Sequence, residues 1–350
     1  MSSSLAALAG AVPRGPQRRA WRLGIGLLVL AVLLLVLGAA VGSTGFDSLR
    51  TLRTDPVAWQ IVWDIRLPRT AGAWVTGALL GLAGAVAQGL FRNPLAEPYL
   101  LGSGAGASLG VALALLAIGR SPASVLSGSW WLQLGITGAA FAGAVLAVVL
   151  TLVLARGALH TLRLLLGGVI VGVVLGAAKD LVTLAAPDIL QSMQAFTLGS
   201  TAFLGWQAVL LMAVLLGLCL VAAWLLAPVL DGLTLGEATA SSLGLWLPGL
   251  RAALVALLAL ATGTAVAHAG LVAFIGLAAP HLVRPLLRST HGALLLLSAA
   301  MGGALLMAAD LLARWVLAPQ ELPVGVLTAL IGGAYLLWLM HRRGLTGGGR

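Results

Sequence analysis

A chain of 350 residues that is 60% hydrophobic and 9% charged, with mean hydropathy +1.07, cannot fold as a water-soluble globule, because no single core hides that much apolar surface. The composition is that of an all-α polytopic membrane protein. The formal net charge of +10 would suggest nucleic acid in a soluble protein, but these arginines fall between apolar segments, where they set orientation.

Residues 1–22 form a polar leader carrying Arg14, Arg18, Arg19 and Arg22. The apolar run 23–41 follows. It is long for the apolar part of a signal peptide, so it reads as the first span even though Gly38, Ala39 and Ala40 resemble a cleavage site. After a polar stretch to residue 64, Arg66 and Arg69 flank Pro68, which suits the first turn of a second span over 67–90. Asn93-Pro94 and Glu97-Pro98 then stop the helix in a short polar turn. Further spans are expected over 99–119, 131–155, 162–186, 205–227, 249–269, 271–287, 293–316 and 323–341, ten in all. Gly270 alone divides the seventh from the eighth.

An even count puts both termini on one side. Most arginines outside the spans then share that side, which the positive-inside rule makes cytoplasmic. Arg66, Arg69 and Arg314 fall on the other side and require a reason. Glycines recur four apart at Gly77 and Gly81, at Gly102, Gly106 and Gly110, and at Gly168, Gly172 and Gly176. The plain reading is close helix packing. In 102–110 and 167–176 a second reading stands beside it, a path whose width changes, with Gly102, Gly104, Gly168 and Gly172 along it.

Soluble-enzyme chemistry finds little support. Cys219 is the single cysteine and lies in an apolar span, and the five histidines show no metal-ligand spacing, so no metal site is expected. A phosphate-binding loop of the Walker type needs a lysine followed by Ser or Thr; the only lysine, Lys179, is followed by Asp180. ATP, if used, must be handled by another polypeptide. Two polar constellations remain: the interruption 230–246, with Leu235, Gly236, Glu237, Ala238 and Gly244, and His281 with Arg284 and Arg288. The first has the size of a socket for a soluble partner.

Four blocks in order carry a family pattern: RLPR, Gln88, NPLAEP and LLGSGAG over 66–106; LGE with Ala238 and Gly244 over 235–244; GLVAFIGLAAPHLVR over 270–284; and ADLLARW with ELPVGVLTALIGG over 309–333. The chain resembles the permease family of type II ATP-binding-cassette importers for iron-siderophores, haem and cobalamin. The resemblance implies a permease domain over 23–343 in the bacterial inner membrane, with both termini cytoplasmic. It implies a homodimer, two ATPase subunits that hold ATP and magnesium, and a solute-binding protein outside. Leu235, Gly236, Glu237, Ala238 and Gly244 would meet the ATPase. Arg66, Arg69 and Arg314 would dock the binding protein, against the plainer alternative that Arg314 pairs with Asp310 on its own helix. A cytoplasmic gate would lie at 160–163, around Thr161. Ferric siderophore is the expected cargo, with haem and cobalamin as alternatives.

Two other classes have sequence tests. An ion-coupled secondary transporter needs ionisable groups at depth, for which Lys179 and Asp180 are the nearest candidates. An intramembrane hydrolase needs a nucleophile with a basic partner, and Ser103 and Ser108 have none near in sequence.

Overall fold

The computed structural model describes residues 14–40, 56–118, 130–155, 161–242, 244, 246–287 and 290–346. All regular structure among the described residues is helical. Helix α1 spans Arg14–Ala40, α2 Pro56–Leu90, α3 Ser103–Ile118, α4 Trp130–Leu154 and α5 Thr161–Ala185. They are followed by α6 (Leu190–Leu198), α7 (Trp206–Thr234), α8 (Glu237–Ser242), α9 (Leu247–Ala269), α10 (Ile275–Val283), α11 (His291–Trp315) and α12 (Val324–Thr346).

Seven of the described helices are long and apolar enough to cross a membrane. The other three expected spans correspond to α3, α10 and α12. The eighth departs most from expectation. In place of a helix over 271–287, the backbone runs unwound from Gly270 to Phe274, and α10 has nine residues. Nine residues rise about 14 Å, half of a hydrocarbon core of about 30 Å, so α10 is a half-helix.

The second span also differs. Its helix begins at Pro56 and passes through a π-helical turn over Ile61–Arg66 before the regular part, Leu67–Leu90. Pro68 has no N–H for the Asp64 carbonyl, and the wider turn accommodates that loss. Likewise α1 starts at Arg14, inside the segment expected as a leader.

Helix α2 is the axis of the fold. Its most apolar stretch is 89% buried, whereas that of α5 is 17% buried and that of α4 28%. Small residues explain the difference. Side chains at Gly77 and Gly81 would collide with the carbonyls of Gly302 and Ser298 on α11, so glycine lets the two backbones touch, as dispersion-driven packing between membrane helices requires. Helices α7, α9 and α10 close around the same axis, and buried leucines and alanines of α7 and α9, with Ile275 of α10, form one continuous core with α2. Helix α1 lies outside, against α11.

Candidate functional site

At one end of the helix bundle, α7 stops at Thr234 and the short helix α8 stands between two turns. Gly236 (φ 104°) and Gly244 (φ 80°) hold left-handed backbone at either side of it, conformations in which a Cβ is strained. Ala240 of α8 is fully buried, which fixes the helix against the bundle, while Ala238, Thr239, Ser241 and Ser242 face outward. Leu235 and Trp246 flank them, 65% and 72% exposed. The result is a small protruding helix with large apolar side chains beside it, the form of surface that a partner covers.

Glu237 ties this protrusion to the body. Its Oε1 accepts from Arg251 Nη2 of α9 at 2.6 Å and from Arg92 Nη2 at 3.4 Å. Arg92 begins the connection from α2 to α3, with left-handed backbone of its own (φ 49°). Nearby, Asp231 Oδ1 accepts from the backbone N–H of His291 at 3.0 Å and contacts His291 Nδ1 at 2.7 Å, joining the end of α7 to the start of α11.

The connection from Arg92 onward re-enters the bundle. The Leu95 N–H donates to Asn93 Oδ1 at 2.9 Å, closing the turn at Asn93-Pro94. Glu97 Oε1 then accepts the Phe274 N–H at 3.0 Å, at the entrance to α10. Tyr99 Oη donates to the Val272 carbonyl at 3.0 Å and accepts the Val272 N–H at 3.4 Å. These two side chains pair backbone groups that the unwound stretch leaves without a helical partner, a necessity where no water can do so. Phe274 itself is left-handed (φ 69°), and the Gln88 Nε2 amide donates to the Leu277 carbonyl at 3.2 Å. The chain of contacts therefore runs from α8 through Glu237 and Arg92 to Glu97, Tyr99 and the broken helix.

The candidate path glycines are partly brought together. Gly102 is left-handed (φ 77°), and a Cβ there would lie 3.2 Å from Gly172 N and 3.3 Å from Gly168 O, so Gly102, Gly168 and Gly172 meet where α3 begins against α5. Gly104 turns instead toward Tyr99 and Leu271. Thr161 begins α5 with its side chain outside the described residues, and His160 lies outside them altogether, as does Arg288.

The three arginines expected to dock a partner are at the opposite end, and all are buried: Arg66 is 9% exposed, Arg69 8% and Arg314 2%. Arg69 donates to Asp310 Oδ1 through Nε at 3.1 Å and Nη2 at 3.0 Å, and to Glu321 Oε2 through Nη1 at 2.7 Å. Arg314 pairs with Asp310 Oδ2, one turn away, and donates to Thr70 Oγ1 at 3.2 Å. Thr201 Oγ1 donates to Asp310 Oδ1 at 2.6 Å. Arg66 donates to the carbonyls ending α1, Ala39 and Ala40. The placement of two of them thus has a reason inside the chain: Arg69 and Arg314 flank Asp310, a fully buried carboxylate, whereas Arg66 ties α2 to the end of α1. The i,i+4 alternative for Arg314 is the geometry found.

Lys179 and Asp180 pair with each other at 2.5 Å beside a cavity of about 440 Å³ between α5 and α6, and Asp180 is 72% exposed. The acid of this pair is not buried within the chain, unlike the buried ionisable group that ion coupling requires. Ser108 Oγ donates to the Gly104 carbonyl at 2.9 Å. Among the described residues no group of three metal-ligating side chains converges.

Comparison with known proteins bears on the family and the fold. The model of the FecCD transport family matches residues 27–342. The chain is 38% identical over 330 residues to the hemin transport system permease protein HmuU of Yersinia pestis, covering 92% of this chain and 96% of that protein. It is 37% identical over 333 residues to the vitamin B12 import system permease protein BtuC of Escherichia coli O157:H7, covering 95% and 98%. Among solved structures, a metal-chelate type ABC transporter in an inward-facing conformation superimposes with TM-score 0.79 at 29% identity, covering 91% of this chain and 98% of that one. PsaBC from Streptococcus pneumoniae, at 16% identity and TM-score 0.54, shares the fold. With a family model spanning nearly the whole chain and relatives matched along almost their full length, the chain belongs to the FecCD transport family.

Proposed function

We propose that this chain is the membrane permease of an ATP-binding-cassette importer that brings a metal chelate into the cytoplasm. The observation that carries the proposal is the α8 protrusion clamped by Glu237 to Arg251 and Arg92, on a chain related to two import permeases. In this reading two copies form the path, and two separate ATPase subunits hold ATP and magnesium, since the only lysine, Lys179, is followed by Asp180 and offers no Walker-type loop. Each ATPase covers one α8 with Leu235 and Trp246. Both termini are cytoplasmic, as the arginines of α1 favour.

Closure of the ATPases around ATP pushes on α8, and the Glu237–Arg92 link passes that displacement to the 92–101 connection and the half-helix α10. Because α10 is anchored at Glu97 and Tyr99, the connection and the broken helix move as one body. The solute-binding protein docks at the end carrying Arg66, Arg69 and Arg314. There the arginines act as the internal frame of the docking surface and not as its exposed contacts.

A ferric siderophore is the cargo favoured as the commonest role of the resembled family. A second reading, haem or cobalamin, is favoured by the names of the relatives at 38% and 37% identity. The test is a tryptophan-quenching titration of the cognate binding protein against a ferric siderophore panel, haem and cobalamin. Tight binding of one class identifies the cargo; binding of none excludes all three.

A further inference from the structure

A groove of about 560 Å³ lies between α1 and α11, lined by Trp21, Ile25, Leu28 and Ala31 on one wall and Leu297 and Ala300 on the other. Trp74 of α2 closes it, with an indole N–H that is buried and has no partner among the described residues. Apart from Trp21 and Trp74 the lining is aliphatic or glycine, so a polar soluble ligand has nothing to bind there beyond the two indoles. Its length is informative. From Ala20 to Ala31 the helix rises about 16 Å, close to the depth of one leaflet, about 15 Å of a core of about 30 Å.

Charge gathers at one mouth only. Arg18 stands three and seven residues before Trp21 and Ile25, on the same face of α1, and Arg18, Arg19 and Arg22 are all exposed. Arg284 adds an independent observation. Its neighbours Val283 and Leu287 pack in one cluster with Leu27, Leu294 and Leu297, and its Nε and Nη2 are buried with no partner among the described residues. Among the described residues these two nitrogens lack the charge-assisted partner that such groups take when withdrawn from water.

We propose that this groove binds one anionic phospholipid per chain, its acyl chain between α1 and α11 and its phosphate among Arg18, Arg22 and Arg284. An anionic headgroup matches a basic mouth, and an aliphatic trench one leaflet deep matches an acyl chain. Only the choice of the cytoplasmic leaflet rests on the orientation proposed above; the lipid class does not. The site would hold α1, which packs outside the main core, against the transporting body.

The test is native mass spectrometry of the purified permease in detergent, with phosphatidylglycerol or phosphatidylcholine added, in wild type, R18Q/R22Q and Gly24→Phe. Gly24 lines the groove, and a Cβ there meets only Leu297 Cδ2 at 3.6 Å, so the phenylalanine fills the trench without touching the arginines. The expected result is one retained phosphatidylglycerol per chain and no retained phosphatidylcholine. Retention falls about fivefold for each arginine neutralised and is lost in Gly24→Phe. Equal retention of the two lipids, or phosphatidylglycerol retention unchanged in both variants, overturns the proposal. So does a dimer that dissociates in Gly24→Phe while wild type retains no lipid, which would place a second copy in the groove. R18Q/R22Q changes only exposed side chains and keeps the test valid if the glycine variant fails to fold.

Discussion

Arg251 is almost fully buried on α9, and its Nη2 reaches out 2.6 Å to Oε1 of the half-exposed Glu237 on α8. A surface acid thus answers a cation in the body of the bundle, so the protruding helix cannot shift without disturbing α9 and, through Arg92, the α2–α3 connection. Replacing Glu237 with Gln removes a charged hydrogen bond worth about 1.5–3 kcal/mol, reduced to about 1 kcal/mol by the exposure of the carboxylate. The variant should fold and reach the membrane. Its expected defect is ATP hydrolysis that no longer tracks uptake, measured on the reconstituted complex.

Glu97→Ala leaves the Phe274 N–H at the entrance to α10 without its acceptor, a loss comparable to a helix cap, about 1 kcal/mol. Uptake should fall while co-purification with the ATPase is unchanged, because Glu97 lies beyond the socket. Tyr99→Phe should act in the same direction, and the double variant should do less than the sum of the two singles if they hold one element. Strictly additive losses would separate them.

Arg69→Glu and Asp310→Asn should both destabilise the permease itself. Breaking a buried ion cluster by removing one member typically costs about 3–5 kcal/mol, since the others are left uncompensated. Thermal unfolding of the purified chain, with no binding protein present, checks this. An unchanged midpoint with docking alone impaired would return these arginines to the role the sequence suggested.

Gly77→Leu should disrupt the contact between α2 and α11, where the new side chain meets the Gly302 carbonyl. Overpacking of this kind costs about 1–3 kcal/mol or more when backbone stands opposite. Gly176→Ala is the matched control, having open space around its Cβ position, and should be neutral in the same unfolding assay.

Much of this was legible in the sequence for local reasons. Prolines at 94 and 98 end one helix and delay the next whatever the tertiary context, and glycines four apart announce close contact. The polar interruption around Glu237 stands out against an apolar background. The intrachain partners of the arginines were not legible, because a positive charge on the unexpected side is visible in sequence while its partner is not: Arg69 meets Asp310 across 241 positions. The half-helix α10 was hidden for a related reason. Its start depends on left-handed backbone at Phe274, a residue type with no preference for that conformation, held there by Glu97 and Tyr99 from a distant part of the chain. Glu97 did carry a signal, as an acid between two prolines in an apolar region, but nothing in sequence names its partner.

The central claim is that transport by this chain is driven by a separate ATPase acting through α8. The most direct measurement is uptake into proteoliposomes containing the permease, with its cognate ATPase and binding protein added or omitted singly. The account predicts uptake only with all components and ATP present, and its loss in Glu237→Gln despite continued hydrolysis. Uptake by the permease alone under an ion gradient, with no ATPase present, would contradict it and identify a secondary transporter.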